Sequence, residues 1–508
     1  MADFDPTTEG PLATAHRPRW QLETDVAEMT LDVLSAGTYL PPFSAQEHAD
    51  DYRYRKQMSA CLDICRDAVQ IRMDNLWRTP PKRSVEGAGK HRELVARLID
   101  DCDGDGTSLD AFMRRVVWNH YVTGVDVVTQ MSAVPEGQLV ATLADQERLG
   151  LYPYFMQFSP LERVDWAVNG SRNFLWARYC LGERPKLDER DGGDDSVSEY
   201  LTVGRDGWRL WRVSTGSEVG QDGKPAAVRK VELVGEGPHL GLSRPPIVKA
   251  YFAESQKPGQ GGVPLGLLTR PAVVAKVAMN LKSQADAELL AAVPRWLATG
   301  FAAGELPDTY GGGVLISAND AAATMSVIQG DVSHIVEKRA WLLLYIGEML
   351  RLLKFRGGMA EIAANTGSGL KLAIERTDLD NELRATASQF ERIESEMVRQ
   401  AVVLATGKPI APERAADELG YSVTYNRDFV LEPVGELLEN LATWIKQCGW
   451  APENLPEITR EMTRQLANML AREGTPPYEA MIEQIDTAEL TGGGNDVLIE
   501  EPEPATAA

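Results

Sequence analysis

The sequence has few cysteines, and its first residues lack the features of a secretion signal. The 508 residues include five cysteines, which are too few and too scattered for a disulfide framework. They are Cys61, Cys65, Cys102, Cys180 and Cys448. The opening residues MADFDPTTEG contain neither a basic region nor the apolar region that follows it in a signal peptide. We therefore expect a protein that folds in a reducing cytoplasm.

Long apolar runs are also missing. The longest, residues 341–353, is interrupted by Gly347, Glu348 and Arg351, and it is shorter than the roughly 20 apolar residues that a transmembrane helix needs. The sequence therefore predicts no membrane-spanning helix and no membrane partner.

Basic charge is scarce relative to acidic charge. Lysine and arginine total 52 against 74 aspartates and glutamates, so the net charge is -22. This balance argues against a protein that grips phosphates over a broad basic surface. It is compatible with a protein through which DNA slides, because a tunnel lined by carboxylates would repel the phosphate backbone. Which carboxylates would face such a tunnel stays open.

Helical and β-type patterns alternate along the chain, which predicts an α+β protein that is predominantly helical. The predicted helices are 44–77, 91–99, 108–123, 271–299, 333–354, 377–406, 434–447 and 455–472, and Pro294 is expected to kink or end the helix at 271–299. The predicted strands are 125–129, 154–158, 174–180, 200–203, 209–213, 228–233, 314–317, 324–328 and 421–425. Residues before Ser44 are predicted to form an arm with only short helical character near 25–34. The 377–406 helix would be about 45 Å long, the length of a strut between domains.

One acidic loop has the spacing of a calcium site. Asp101, Asp103 and Asp105, followed by Gly106, match the first half of an EF-hand loop, but the twelfth position, where a bidentate glutamate belongs, is Phe112. A turn that caps the helix from Ser108 is the favoured interpretation, and metal binding is the alternative. Cys61 and Cys65 lack a second pair for zinc. The histidines form no catalytic motif, so we expect no cofactor and no enzymatic activity.

Four segments resemble the portal proteins of tailed bacteriophages, in a branch similar to the SPP1-like and DUF4055-like portals. YRKQMSACLDICRDAVQIRMDNLWRTPPK resembles an opening wing helix, and DGDGTSLDAFMRRVVWNHYVTGVDVV resembles the acidic loop, helix and strand of that branch. Thr366 to Leu372 resembles the small-residue segment after a portal tunnel loop, with Leu370 directly after Gly369 where alanine is more usual. TDLDNELRATASQFERIESEMV resembles the long portal helix.

The resemblance implies the regions of a portal subunit. They are an N-terminal arm (1–44), a wing (45–262), a first stem helix (263–300), a clip (301–332), a second stem helix (333–353), a tunnel loop (354–369), a long wing helix and strand (370–430), a crown (431–480) and a disordered acidic tail (481–508). The implied DNA-tunnel residues are Lys354, Arg356, Gly357, Gly358, Glu361, Gly367 and Ser368. Lys354 or Arg356 would touch phosphates transiently.

The same resemblance implies a dodecameric ring at the capsid vertex of a virion, assembled in the bacterial cytoplasm. Its partners would be further copies of the chain, double-stranded DNA without sequence preference, the terminase large subunit, the major capsid protein and head-tail adaptors. The apolar run at 341–353 agrees with subunit packing, because a stem helix must contact both its partner helix and the neighbouring subunit. Two alternatives remain, another head-morphogenesis structural protein and a metal-binding enzyme.

Overall fold

The computed structural model describes residues 4–28, 38–43, 47–59, 62–85, 89–132, 145, 148–185, 196–219, 225–239, 241–291, 295–299, 324–328, 333–355, 369–411, 418–427 and 429. The chain divides into two compact units, residues 1–429 and 430–508, and every described residue belongs to the first. The predicted helices at 434–447 and 455–472, the crown, the acidic tail and the strand at 314–317 lie outside the described residues.

Helices and strands alternate within the described residues. The α-helices there are α1 (Pro11–Glu28), α2 (Ala49–Met58), α3 (Ile64–Leu76), α4 (Arg92–Asp100), α5 (Leu109–Val122), α6 (Pro271–Ala291), α7 (Ser333–Leu352) and α8 (Gly369–Thr406). The strands are β1 (Lys82–Ser84), β2 (Val125–Met131), β3 (Pro153–Phe158), β4 (Arg163–Val168), β5 (Phe174–Pro185), β6 (Ser196–Gly204), β7 (Gly207–Val219), β8 (Pro225–Pro238), β9 (Ile247–Ala250), β10 (Ala253–Glu254), β11 (Pro264–Leu265), β12 (Arg295–Thr299), β13 (Thr324–Ile328) and β14 (Ser422–Thr424). The predicted α+β class is confirmed.

The strands form antiparallel sheets, as predicted. One sheet has the order β3-β2-β9 and a larger one the order β4-β5-β6-β7-β8, while β1 pairs with β14 and β12 with β13. All six predicted runs between 125 and 233 lie within strands of these two sheets. β4 and β9 were not predicted.

A buried arginine joins the two larger sheets. Arg163, at the start of β4, donates to Asp126 Oδ2 on β2 (2.9 Å), to the hydroxyl of Tyr251 (2.7 Å) and to the carbonyl of Gly262 (2.8 Å). Tyr179 on β5 donates to the same Asp126 oxygen at 3.1 Å. The arginine side chain is fully buried, so its charge depends on these partners.

The helical core surrounds α8. Leu76 on α3, Phe112 and Tyr121 on α5 and Phe390 on α8 are buried in one cluster, which also includes the first turns of α6 and the end of α7. α5 begins where predicted because the Ser108 hydroxyl accepts the amide hydrogen of Ala111 (3.3 Å). It ends before Gly124, whose φ of 90° favours glycine.

The N-terminal prediction is wrong for residues 11–28. They form α1, which buries Trp20 beside Trp166 of β4 at 6.5 Å between ring centroids. Gly10 N–H also donates to the carbonyl of Val164 (2.9 Å). The sequence pattern did not reveal α1 because this segment is polar overall and contains Pro18. The helix is stabilised by packing against a strand that is distant in sequence.

Three predicted helix boundaries are also wrong. The predicted 44–77 helix is two helices, because Ser59 has an extended backbone after α2. The 271–299 helix ends at Ala291 and not at Thr299, close to Pro294, which was expected to kink or end it, and residues 295–299 form β12. The long helix begins at Gly369 and not at Thr377 or Asp378. Residues 295–299 have a local pattern that is compatible with both states, and their pairing with β13 makes them a strand.

No helix among the described residues is long and apolar enough to span a membrane.

Candidate assembly surface and loop anchor

α6 and α7 form an antiparallel pair that is anchored at one end. Ala272, Ala275 and Ala278 of α6 lie in the helical core together with Met349 and Leu353 at the end of α7. Near the other end, Lys338 of α7 forms an ion pair with Glu288 of α6. β12 and β13, which follow α6 and precede α7, pair with each other in register from Arg295 opposite Ile328 to Thr299 opposite Thr324. The predicted strand 324–328 is confirmed as β13, but its partner is β12, which was predicted as helix, and the predicted strand 314–317 lies outside the described residues.

Large apolar side chains are exposed along this pair. On α7 the exposed fraction is 69% for Val336, 56% for Trp341 and 59% for Leu344. The exposed apolar residues on α6 are Val273, Val277 and Leu289. We call these six residues, with Leu343, the apolar face. The core side of α7 is formed by partly buried Leu342, Tyr345 and Ile346. α7 is therefore apolar on opposite sides, as its sequence predicted.

Lys354 lies directly after α7 in an unusual backbone conformation. Its φ is 60°, and the amide of Phe355 donates to the carbonyl of Leu350 at 2.7 Å, which closes the helix end. Glycine is the usual residue at such a position, because a Cβ atom is strained there. The Lys354 ammonium lies 2.7 Å from Glu382 Oε2 on α8. The charge predicted to touch phosphate is therefore paired with a carboxylate of the same chain in this structure.

Arg72 completes this contact from α3. Its side chain is fully buried, and it donates to Glu382 Oε1 (2.8 Å) and to the carbonyl of Leu353 (2.7 Å). A third bond goes to the carbonyl of Ala68 (3.0 Å). Burial by itself raises the pKa of Glu382, but Arg72 and Lys354 together hold it below its ordinary value. We call Arg72, Lys354 and Glu382 the charge clamp.

The other predicted tunnel residues are not among the residues that the structure describes. Arg356, Gly357, Gly358, Glu361, Gly367 and Ser368 lie outside the described residues. Arg72 and Glu382 were not predicted, although the sequence holds a signal for both. Arg72 falls on the apolar stripe of α3 between Val69 and Leu76, and Glu382 follows the stripe residue Leu379 by three positions. A charged residue at a core position of an amphipathic helix indicates a buried partner.

The acidic loop at residues 101–106 directs its carboxylates to its own backbone. Asp101 Oδ1 accepts the amide hydrogens of Gly104 (2.8 Å) and Gly106 (3.1 Å), and Asp103 Oδ1 accepts those of Asp105 (3.0 Å) and Thr107 (3.1 Å). Both glycines have positive φ. Phe112, at the twelfth position, is buried in the core. No cluster of three or more metal-binding side chains occurs in the part of the chain that the structure describes. The loop has the geometry of a turn before α5.

Comparisons with known proteins give distant structural similarity only. No protein-family model matches the sequence, and no curated protein matches it significantly. Among solved structures, the chain is similar to a chain in the neck of an empty gene transfer agent particle, with 11% identity and a TM-score of 0.37 over 89% of this chain and 97% of that chain. A chain from the virion of a native gene transfer agent particle gives 11% identity and a TM-score of 0.32, over 83% and 95% respectively. Neither similarity is strong enough to transfer a residue's role to this chain.

Proposed function

We propose that this chain is a portal protein, one subunit of a ring through which double-stranded DNA enters and leaves a phage-like capsid. In this role it carries out no catalysis. It sits at the capsid vertex of the virion, where it contacts the capsid protein and offers a docking site to the terminase and later to head-tail adaptors. The observation that carries the proposal is the apolar face on α6 and α7.

The exposure of this face argues for a second copy of the chain. Trp341 and Leu344 would lose their contact with water if a neighbouring subunit packed against the pair, and each large apolar side chain buried in this way contributes roughly 1.5 to 3 kcal/mol. The two sides of α7 are both apolar, so one side can pack on its own subunit and the other on the next. A repeated head-to-tail contact of this kind closes a ring when the rotation fits.

The net charge of -22 supports the part of the proposal that concerns DNA. A strongly acidic ring does not hold the phosphate backbone tightly, so DNA can move through the hole in both directions. The resemblance of four segments to portal proteins implies that residues 354–369 form the tunnel loop, the segment that would lie closest to the moving DNA.

The mass of the purified particle and its image test the ring. We expect a dodecamer with a central hole by native mass spectrometry and negative-stain microscopy. Leu344→Asp should reduce the particle to single chains, because the carboxylate would be buried without a partner in the subunit contact. Ile71→Asp is the matched control, since Ile71 is an exposed aliphatic residue on α3, outside the pair.

Three outcomes would contradict the proposal. A single folded chain in solution, at concentrations at which rings should assemble, would contradict the proposed ring. A shell or a particle without a hole favours another head-morphogenesis structural protein. Heat released on titration with calcium, lost in an Asp101→Asn and Asp103→Asn variant, favours the metal-binding alternative.

A further inference from the structure

Ion pairs and hydrogen bonds connect α3, α7 and α8 at the point where the chain leaves α7. Arg72 from α3 contacts the carbonyl of Leu353 and Glu382 of α8, and Lys354 contacts the same glutamate from the exit of α7. The guanidinium of Arg72 also lies 5.1 Å from the centre of the Phe355 ring. The last turn of α7 is thus attached to two helices of the core at once.

The identity of residue 354 is explained by this attachment. With a φ of 60°, the position favours glycine, yet it carries lysine. The ammonium compensates for the backbone strain, because it shares the carboxylate of Glu382 with a fully buried arginine. Glu382 itself is 6% exposed, so the removal of either cation leaves its charge poorly compensated in the core.

We propose that the charge clamp fixes the direction in which the chain leaves α7, so that Lys354 positions the start of the predicted tunnel loop and does not contact phosphate. The inference rests on the proposed function and names a role for Lys354 that differs from the one the resemblance implies. Arg72 and Glu382 act through Lys354 and the end of α7, and all three are positioning residues. Force from moving DNA on the loop would act on the end of α7, which α3 and α8 hold in place.

A double-mutant cycle tests the clamp directly in the assembled particle. Lys354→Met removes the ammonium at equal backbone strain, and Glu382→Gln removes the carboxylate charge at equal volume. Hydrogen exchange of the Phe355 amide, which donates to Leu350, reports the opening of the helix end. We expect each single variant to lower its protection by about tenfold and the double variant to lower it no further, because each removes the ion pair between Lys354 and Glu382, while an amide oxygen at position 382 can still accept the hydrogen bond from Arg72.

A second readout separates positioning from phosphate contact. In particles assembled with each variant, a positioning role predicts that Lys354→Met and Glu382→Gln lower the amount of packaged DNA to a similar extent, with the ring mass unchanged. Lys282→Met is the control, because it breaks a 2.7 Å ion pair with Asp286 on α6, away from the exit of α7. It should change neither the exchange of Phe355 nor the packaged DNA.

The outcomes that overturn the clamp differ from those that overturn the ring. If Lys354→Met lowers packaged DNA while Glu382→Gln has no effect and Phe355 stays protected, then Lys354 is a phosphate contact. Additive effects on exchange would show that the two residues act independently, against the clamp. If the unsubstituted chain forms no ring, the proposed function fails, and the exchange cycle still measures the clamp in the single chain.

Discussion

The α6/α7 helix pair differs from the rest of the described chain, here called the body, in the side chains that it exposes. In the body, ionised groups are buried and paired, as with Arg163 and Asp126 between the sheets, or Arg83 and Glu394 beside α8. In the helix pair, tryptophan, leucine and valine are exposed. These ionised groups need no second chain, because each has its partner in the same chain. In the part of the chain that the structure describes, the outer apolar face of the pair is exposed and its inner face packs on the core.

The largest expected effect concerns a buried charge in the body. Arg163→Met should reduce the free energy of unfolding by about 3–5 kcal/mol, because Asp126 would remain buried after it loses its cation. Urea denaturation of the purified chain measures this loss. Arg209→Met is the control, since Arg209 and Glu236 form an exposed pair on β7 and β8 that is worth at most about 1 kcal/mol.

The same denaturation experiment on Leu344→Asp sharpens the comparison. The variant should unfold at the same urea concentration as the unsubstituted single chain, although it cannot assemble. If Leu344→Asp destabilised the single chain as much as Arg163→Met does, α7 would be buried within its own subunit, and the contrast between the two regions would be lost.

A buried histidine in the body gives the next largest effect. Burial lowers the pKa of His120 to about 4, in a site among the rings of Tyr121, Phe252 and Phe390. The folded state therefore binds this proton less readily than the unfolded state. The stabilisation is complete above the ordinary pKa of about 6.5, and about 3 kcal/mol should be lost as the pH falls from there to about 4.

His120→Phe should flatten this part of the pH profile, measured as the free energy of unfolding between pH 4 and pH 7. His48→Gln is the control, because the His48 side chain is exposed at the start of α2. A profile of His120→Phe as steep as that of the unsubstituted chain would assign the acid sensitivity to other groups.

Local patterns predicted those parts of the fold that short-range forces determine. α5 could be placed because Ser108 and Gly124 mark its ends, and the strands between 125 and 233 because turn residues separate them. β12 was missed although Pro294 was expected to kink or end the helix there, because the strand state of residues 295–299 depends on pairing with β13, which lies 25 residues or more further along the chain. α1 was missed for the same reason, because Trp20 is buried by strand β4 and not by neighbours in sequence.

The candidate site also has one part that could be predicted from the sequence and one that could not. The α7 part of the apolar face was predicted, because a run such as 341–353 that is apolar around the helix needs two packing partners whatever the fold. The exposure of Val273, Val277 and Leu289 on α6 was not predicted. The clamp was not, since the pairing of Arg72 with Glu382 depends on how α3 and α8 cross. Lys354 was predicted as a site residue for its position in the loop, and its ion pair with Glu382 could be found only from the structure.

Glu23 is an exception within the body, and its expected effect is similar in size to that of His120 but opposite in its dependence on pH. Its side chain is fully buried on α1, and its cation, Arg19, lies one turn earlier with Nε 3.3 Å from Oε1. Burial raises the pKa of Glu23 to about 7, and the nearby Arg19 offsets this only in part. The folded state therefore holds this proton more tightly than the unfolded state, so stability is greatest below pH 4.5 and falls as the pH rises through about 7.

Glu23→Gln should accordingly raise the free energy of unfolding by about 3 kcal/mol at pH 8 and by less than about 1 kcal/mol at pH 5. Glu28→Gln, at the exposed end of the same helix, should have no such effect. Thermal unfolding at the two pH values measures both variants. A loss of stability in Glu23→Gln at pH 8 would mean that the carboxylate is well paired with Arg19, and Glu23 would then resemble Asp126 and Glu394, whose buried charges are matched by an arginine.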